Sequence, residues 1–270
     1  MEIVFLGTGG GRINLIKQVR WTGGFRINSD VANIHVDPGP GALIRSLQLK
    51  QDPLKIDALI VSHAHIDHCN DTNLMIEAMT GYALKKKGLL IGSKNLLEDP
   101  NERLVTAYHR EHCGEVFYPK FENGNVERKK FQIKKSGDKT SEFEIDFIKV
   151  RHDEKTTFGF KLYLENKVIG YTSDTNYFPE LGELFSGCDY LIINVLKPQD
   201  DGIPDHLETA HAIKIISTAK PKLAIMNHMG ISMIRAGPAS QARIIEEATG
   251  VRTIAAKDGQ TIKDGLNAYF

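Results

Sequence analysis

Short apolar runs recur along the chain, separated by turns rich in glycine, proline and aspartate, which is the pattern of strands. Residues 2–7 form a β-rich run that closes on Gly7-Thr8-Gly9-Gly10-Gly11. Residues 29–36 run to the turn signal Asp37-Pro38-Gly39, and the wholly apolar 58–61 enters Ser62-His63-Ala64-His65. Further strands are predicted at 88–91, 144–150, 158–164 and 168–172, the last two flanking a hairpin turn at Glu165-Asn166, and at 190–195, 223–226 and 252–255. Apolar spacings of three and four predict helices at 41–49, 74–84, 101–112, 207–218 and 238–248. The stretch 117–143 is mixed, with weak strands. There is no internal repeat, and strands alternate with helices in both halves. We therefore expect an α/β (α+β) fold in a single domain over residues 1–270.

Composition narrows the function classes. Lys plus Arg and Asp plus Glu both number 34, so the net charge is zero, which argues against gripping long nucleic acid by bulk charge. The lysine-rich segment 127–139 reads as a solvated hairpin face rather than a nucleic-acid patch. No run of about 18 apolar residues exists for a membrane span. The start, MEIVFLGTGG, lacks the basic and apolar regions of a signal peptide. Cys69, Cys113 and Cys188 are scattered and odd in number, so no disulfide framework is expected and a cytoplasmic location is.

The chemistry concentrates in histidine and aspartate. His63-Ala64-His65-Ile66-Asp67-His68 packs four metal-ligand side chains between a strand and a helix, and imidazole and carboxylate suit borderline divalent metals. The segment resembles the HxHxDH motif of the metallo-β-lactamase superfamily. Later positions match in order: His152 after a strand in Val150-Arg151-His152-Asp153, the Ser173-Asp174-Thr175 turn, Met226-Asn227-His228 and the closing Lys257-Asp258-Gly259. The resemblance spans roughly residues 1 to 265. It implies a four-layer αββα sandwich with metals at one edge between the sheets. It also implies a ligand set. His63, His65 and His152 would hold one metal; Asp67, His68 and His228 the other; Asp174 would bridge, each oxygen taking one metal. Zinc is the expected metal, with manganese next.

Within the superfamily the chain resembles most the branch of tRNase Z and the cyclic phosphodiesterases of phosphonate metabolism. His206, read as opening the helix 207–218, matches the histidine that approaches the substrate phosphate there. A helix start favours negative charge, and an imidazolium can protonate a departing alkoxide. The catalytic residues expected are thus His206 and the ligand Asp67. Two departures weigh against tRNA processing. The strand 190–195 carries Asn194 where the tRNase Z pattern has a glutamate, and no long glycine-rich insertion is evident. The expectation is a dinuclear hydrolase acting on a small or cyclic phosphodiester through a hydroxide shared by two metals. The alternatives are a lactonase or thioesterase-like carbonyl hydrolase, a nuclease of the tRNase Z type, and a metal-binding protein without turnover. A small ester is the expected partner; RNA ranks behind it, no membrane is involved, and a homodimer is left open. His109, His112 and His211 read as lying outside the centre, and His35 as structural. Gly7–Gly11 reads as a tight turn, not a phosphate loop. Arg12, Lys197 and Arg235 are loose candidates for anion contacts.

Overall fold

The computed structural model describes residues 1–99, 104–134, 140–199 and 204–263. The strands are β1 (Glu2–Phe5), β2 (Phe25–Asn28), β3 (Asn33–Val36), β4 (Ala58–Val61), β5 (Leu89–Gly92), β6 (Glu115–Phe117), β7 (Val126–Lys134), β8 (Thr140–Lys149), β9 (Phe158–Leu164), β10 (Lys167–Tyr171), β11 (Tyr190–Lys197), β12 (Leu207–Glu208), β13 (Leu223–Asn227), β14 (Thr253–Ala255) and β15 (Thr261–Lys263). Helices α1 (Arg12–Lys17), α2 (Ala42–Gln48), α3 (Ile66–Cys69), α4 (Thr72–Met79), α5 (Lys94–Glu98) and α6 (Ala107–His112) punctuate the first half. Helices α7 (Leu181–Leu184), α8 (Thr209–Ala219), α9 (Ile231–Ala236) and α10 (Pro238–Thr249) follow in the second.

Two sheets result. One runs β15-β1-β2-β3-β4-β5-β6 and the other β14-β13-β11-β10-β9-β8-β7, with β12 beside β11. The inner faces meet in an aromatic-rich core that includes Phe5, Phe25, Phe131, Phe147, Phe160 and Tyr171. The outer face of the first sheet packs on α2, α4 and α5 through Leu59, Val61, Met75 and Leu96. That of the second packs on α7, α8 and α10 through Leu191, Ile193, Ile215 and Ile245. This is the αββα arrangement. Its strand chemistry follows from burial: the apolar β4 is buried at all four positions because it lies between parallel neighbours. Helix α8 buries Thr209, Ala212, Ile215, Ile216 and Ala219, one stripe at a spacing of three and four.

Connectivity brings the chemistry to one edge. Strands β10, β11 and β13 are mutually parallel, and β8 runs antiparallel to β9, which is antiparallel to β10. The carboxyl ends of β8, β10, β11 and β13 therefore share an edge, where open parallel sheets place ligands. His152, Asp174 and His228 follow three of those ends.

Several expectations need correction. The helix expected at 74–84 is α4, ending at Met79, and residues 80–84 form turns with Tyr82 and Ala83 left-handed. The helix expected at 101–112 is α6, confined to Ala107–His112; residues 101–103 lie outside those described. Most important, residues 207 and 208 are strand, not helix: Leu207 is buried and pairs with Val195, so α8 starts at Thr209 with Glu208 before it. The strand at 252–255 is followed by β15, which pairs with β1. The weakly patterned 117–143 contains most of the long β7–β8 hairpin. There Arg128 pairs with Asp146 and Glu144, Lys130 with Glu142 and Lys129 with Glu115. These cations sit on an edge strand and are matched by acids, which suits protection of the edge rather than nucleic-acid binding; residues 135–139 of that segment lie outside those described. No helix among the described residues is long and apolar enough to cross a membrane.

Candidate metal centre

The turn between β4 and α3 fans out the HxHxDH side chains. His63 leaves the end of β4, His65 precedes α3, and Asp67 and His68 lie within it. His63, His68, His152, Asp174 and His228 are buried. Their donor atoms converge in two groups. His63 Nε2 lies 3.1 Å and His152 Nε2 3.2 Å from His65 Nδ1. On the other side, His228 Nε2 lies 2.9 Å from His68 Nε2 and 3.2 Å from Asp67 Oδ2. Asp174 Oδ2 stands between, 3.9 Å from His63 Nε2 and 3.3 Å from His68 Nε2. The structure thus brings together all seven residues singled out in the sequence.

The donor chemistry fits divalent ions. Bonds of about 2.0–2.1 Å from a tetrahedral ion place its ligand atoms about 3.3 Å apart, close to the separations found. Lone pairs of several imidazoles pointed at one another repel unless a proton or a metal lies between them. The outer ring nitrogens fix which nitrogen faces inward. Asp37 is the hub. Its Oδ1 accepts the Ser62 amide at 2.7 Å, and its Oδ2 accepts the Ser62 hydroxyl at 2.8 Å, His68 Nδ1 at 2.9 Å and the Tyr171 hydroxyl at 2.7 Å. Because the Ser62 hydroxyl donates to Asp37, its oxygen is free to accept from His63 Nδ1 at 3.0 Å. His65 Nε2 faces Asp153 Oδ1 at 3.4 Å, and His152 Nδ1 meets the Asp205 carbonyl at 3.0 Å. Asn194 donates to Asp174 Oδ1 at 2.7 Å and to the Tyr171 hydroxyl at 3.1 Å. Asp174 Oδ1 is therefore engaged by Asn194 and also lies 3.3 Å from His228 Nδ1, while Oδ2 faces both groups.

Backbone strain collects here. Asp37, Ser173, Asp205 and His228 all have positive φ, between 51° and 62°. Each such residue costs on the order of 1–3 kcal/mol, which the surrounding hydrogen bonds must outweigh. The glycine run reads differently in space than in sequence. The Gly11 amide donates to Asp67 Oδ2 at 3.1 Å, and Gly10 lies so close to the His228 ring that a β-carbon would come within 2.3 Å of it. The turn is a cradle for two candidate ligands. Asp258 holds it from the C-terminal segment, accepting the Thr8 amide at 2.9 Å, the Thr8 hydroxyl at 2.7 Å and the Trp21 amide at 2.8 Å.

His206 lies at the centre, but not at a helix start. Its Nε2 is 3.3 Å from Asp174 Oδ2, and its Nδ1 donates to the Pro204 carbonyl at 2.8 Å. The helix start invoked from sequence is not at His206, because the two residues of β12 intervene before α8. Asp174 raises the pKa of His206 instead. Burial opposes the charged ring, but the hydrogen bond to Asp174 and its charge bring the pKa to about 8. Burial also opposes ionisation of Asp174, yet the facing His228 and His68 hold its pKa well below the usual carboxylate range.

The other histidines make their contacts outside the centre. His109 pairs with Glu77 at 3.1 Å and His112 Nδ1 with the Tyr108 carbonyl at 2.7 Å. His211 stacks on Tyr177 at 5.0 Å. His35 is fully buried and bonded to the Gly23 carbonyl at 2.9 Å. Arg12 and Arg235 are exposed and Lys197 is buried. Sequence reading missed Asp37, Tyr171, Asn176 and Asp205 as parts of the centre. For Asp37 a signal existed: it follows β3, the parallel neighbour of β4, so its carboxylate had to emerge beside His63.

Comparison with known proteins agrees with this geometry. Residues 32–229 match the family model of the β-lactamase superfamily domain. An uncharacterized protein of Methanocaldococcus jannaschii is 37% identical, over 97% of this chain and 95% of its own length. A ribonuclease Z of Thermococcus kodakarensis is 23% identical, over 97% of this chain and 94% of its own. Among solved structures, the metallo-β-lactamase fold protein YhfI of Bacillus subtilis superposes with a TM-score of 0.74 at 19% identity, covering 97% of this chain and 98% of that one. The chain belongs to the metallo-β-lactamase superfamily of metal-dependent hydrolases.

Proposed function

We propose that this hydrolase is a dinuclear phosphodiesterase acting on small or cyclic phosphodiesters. His63, His65 and His152 would hold one metal, and Asp67, His68 and His228 the other. Asp174, whose Oδ2 faces both groups, would be shared between the two metals. Zinc suits these donors best, with manganese next. Divalent metals held there would supply positive charge for the phosphate oxygens and an acidified water as nucleophile.

The observation that carries the reading is the place of His206. Its Nε2 reaches the same Asp174 oxygen that faces both groups, while Nδ1 is tied back to Pro204. A phosphodiester spanning the two groups would meet this imidazole at one of its ester oxygens. In its protonated form the ring can donate its Nε2 hydrogen to the departing alkoxide. Asp67, fixed by the Gly11 amide, would take its catalytic part by orienting a metal. The three cysteines are buried and unpaired, which suits work in a reducing cytoplasm.

A second reading, RNA processing, is favoured by the similarity to a protein named ribonuclease Z. One screen separates the readings: metal-loaded protein against linear, 2′,3′-cyclic and 1,2-cyclic phosphodiesters, small RNAs, lactones and thioesters. Turnover of the small diesters above the rest supports the proposal. Preference for a lactone, a thioester or a structured RNA contradicts it.

A further inference from the structure

In this chain the residue facing Asp174 from within β11 is Asn194, and it is bonded to Asp174 and Tyr171. His206 must be held by other groups. The structure shows two fastenings on the residue before it. The Asp205 carbonyl accepts from His152 Nδ1 at 3.0 Å, and the Asp205 carboxylate accepts from Asn176 Nδ2 at 2.5 Å. Asn176 is itself fixed, its amide donating to the Arg151 carbonyl at 2.6 Å. Asp205 has a φ of 62°, a left-handed turn that aims His206 back at the centre, with its ring edge-on to His152 at 5.3 Å. Both fastenings thus come from loops that carry candidate ligands, one from His152 itself and one from two residues past Asp174.

We infer that Asp205 and Asn176 are positioning residues that make the placement of His206 depend on metal at the His63–His65–His152 group. The reason is the location of one hydrogen. A metal on His152 takes the Nε2 lone pair, so the ring hydrogen must sit on Nδ1, where it donates to the Asp205 carbonyl. Without metal the neutral ring is free to carry its hydrogen on Nε2 instead. Nδ1 then presents a lone pair to a carbonyl oxygen, and the fastening becomes a repulsion. Metal selects the form that locks the turn. The inference rests on the proposed role of His206 only for its catalytic consequence; the locking itself is a property of Asp205.

Amide hydrogen exchange on the full chain, read on peptides covering residues 204–208, tests it. Zinc-loaded wild-type protein should exchange these amides at least about tenfold more slowly than metal-stripped protein, the equivalent of about 1.4 kcal/mol. Asn176→Ala should bind zinc normally yet lose most of that protection. Its kcat should fall more for a diester with an alkoxide leaving group than for one with p-nitrophenolate. Asp205→Asn retains an acceptor and tolerates the left-handed turn, so it should behave as wild type. Asp205→Gly tolerates the turn but deletes the acceptor, and should behave as Asn176→Ala. In His206→Ala the zinc-dependent protection should persist, so a failed catalytic role and a failed lock give different results. Equal exchange with and without zinc in wild type, or identical behaviour of Asp205→Asn and Asp205→Gly, overturns the inference.

Discussion

The Asp37 carboxylate receives the Nδ1 hydrogen of His68 across 2.9 Å, and through the Ser62 hydroxyl it also sets the ring of His63. One side chain outside the motif thus orients a histidine in each of the two groups. Asp37→Ala should lower metal affinity by about 10- to 100-fold, the usual cost of losing such an outer partner. It would also leave the buried Tyr171 hydroxyl without an acceptor for its hydrogen, at about 1–3 kcal/mol of stability. Chelator competition and urea unfolding of the metal-free protein measure the two effects; unchanged affinity would contradict the hub role.

Asp174 faces both groups, so its loss should cost more than one ligand. Purified protein should carry up to two divalent ions per chain, and Asp174→Ala should remove at least one. Elemental analysis decides this, and full occupancy in the variant would rule out bridging.

Gly10→Ala should act on one group only. The added methyl would meet the His228 ring at 2.3 Å, in a turn fixed by Asp258. The expected result is a folded protein with the Asp67–His68–His228 group weakened and the other near normal. Two equal metal affinities in a calorimetric titration, unchanged from wild type, would show that the cradle has slack.

The seven candidate ligands were legible through the family resemblance: four fall within six residues, and the other three follow strand ends in the matching order. What surrounds them was not. Tyr171 reaches Asp37 across 134 positions and His228 meets His68 across 160, and no local pattern encodes such pairs. The helix at 207–218 was misplaced for a related reason. Leu207 satisfies helical spacing, but pairing with Val195 draws it into the sheet and moves His206 off the helix. The glycine turn was recognised as a turn, yet its closeness to His228 depends on the bridge between Gly9 and Met229.

His35 offers a pH test away from the centre. Burial, then the nearby Arg26 charge, lowers its pKa to about 3 despite the bond to Gly23. The unfolded chain therefore takes up the proton first as pH falls below about 6.5, and stability declines from there toward pH 3. By pH 5 the loss should be about 2 kcal/mol. His35→Gln keeps a donor for Gly23 and should flatten that part of the curve. Parallel stability–pH profiles for the two proteins would refute the assignment.

The most direct test of the central claim is the dependence of His206→Ala on the leaving group. If His206 protonates the departing alkoxide, the variant should keep its metals and lose roughly 10²–10⁴ in kcat on a ribose diester, with a much smaller loss on bis(p-nitrophenyl) phosphate, whose leaving group needs little protonation. An equal loss on both substrates would make His206 a phosphate-binding group. No loss on either, with metals retained, would contradict the account of His206 and remove the main support for a phosphodiesterase.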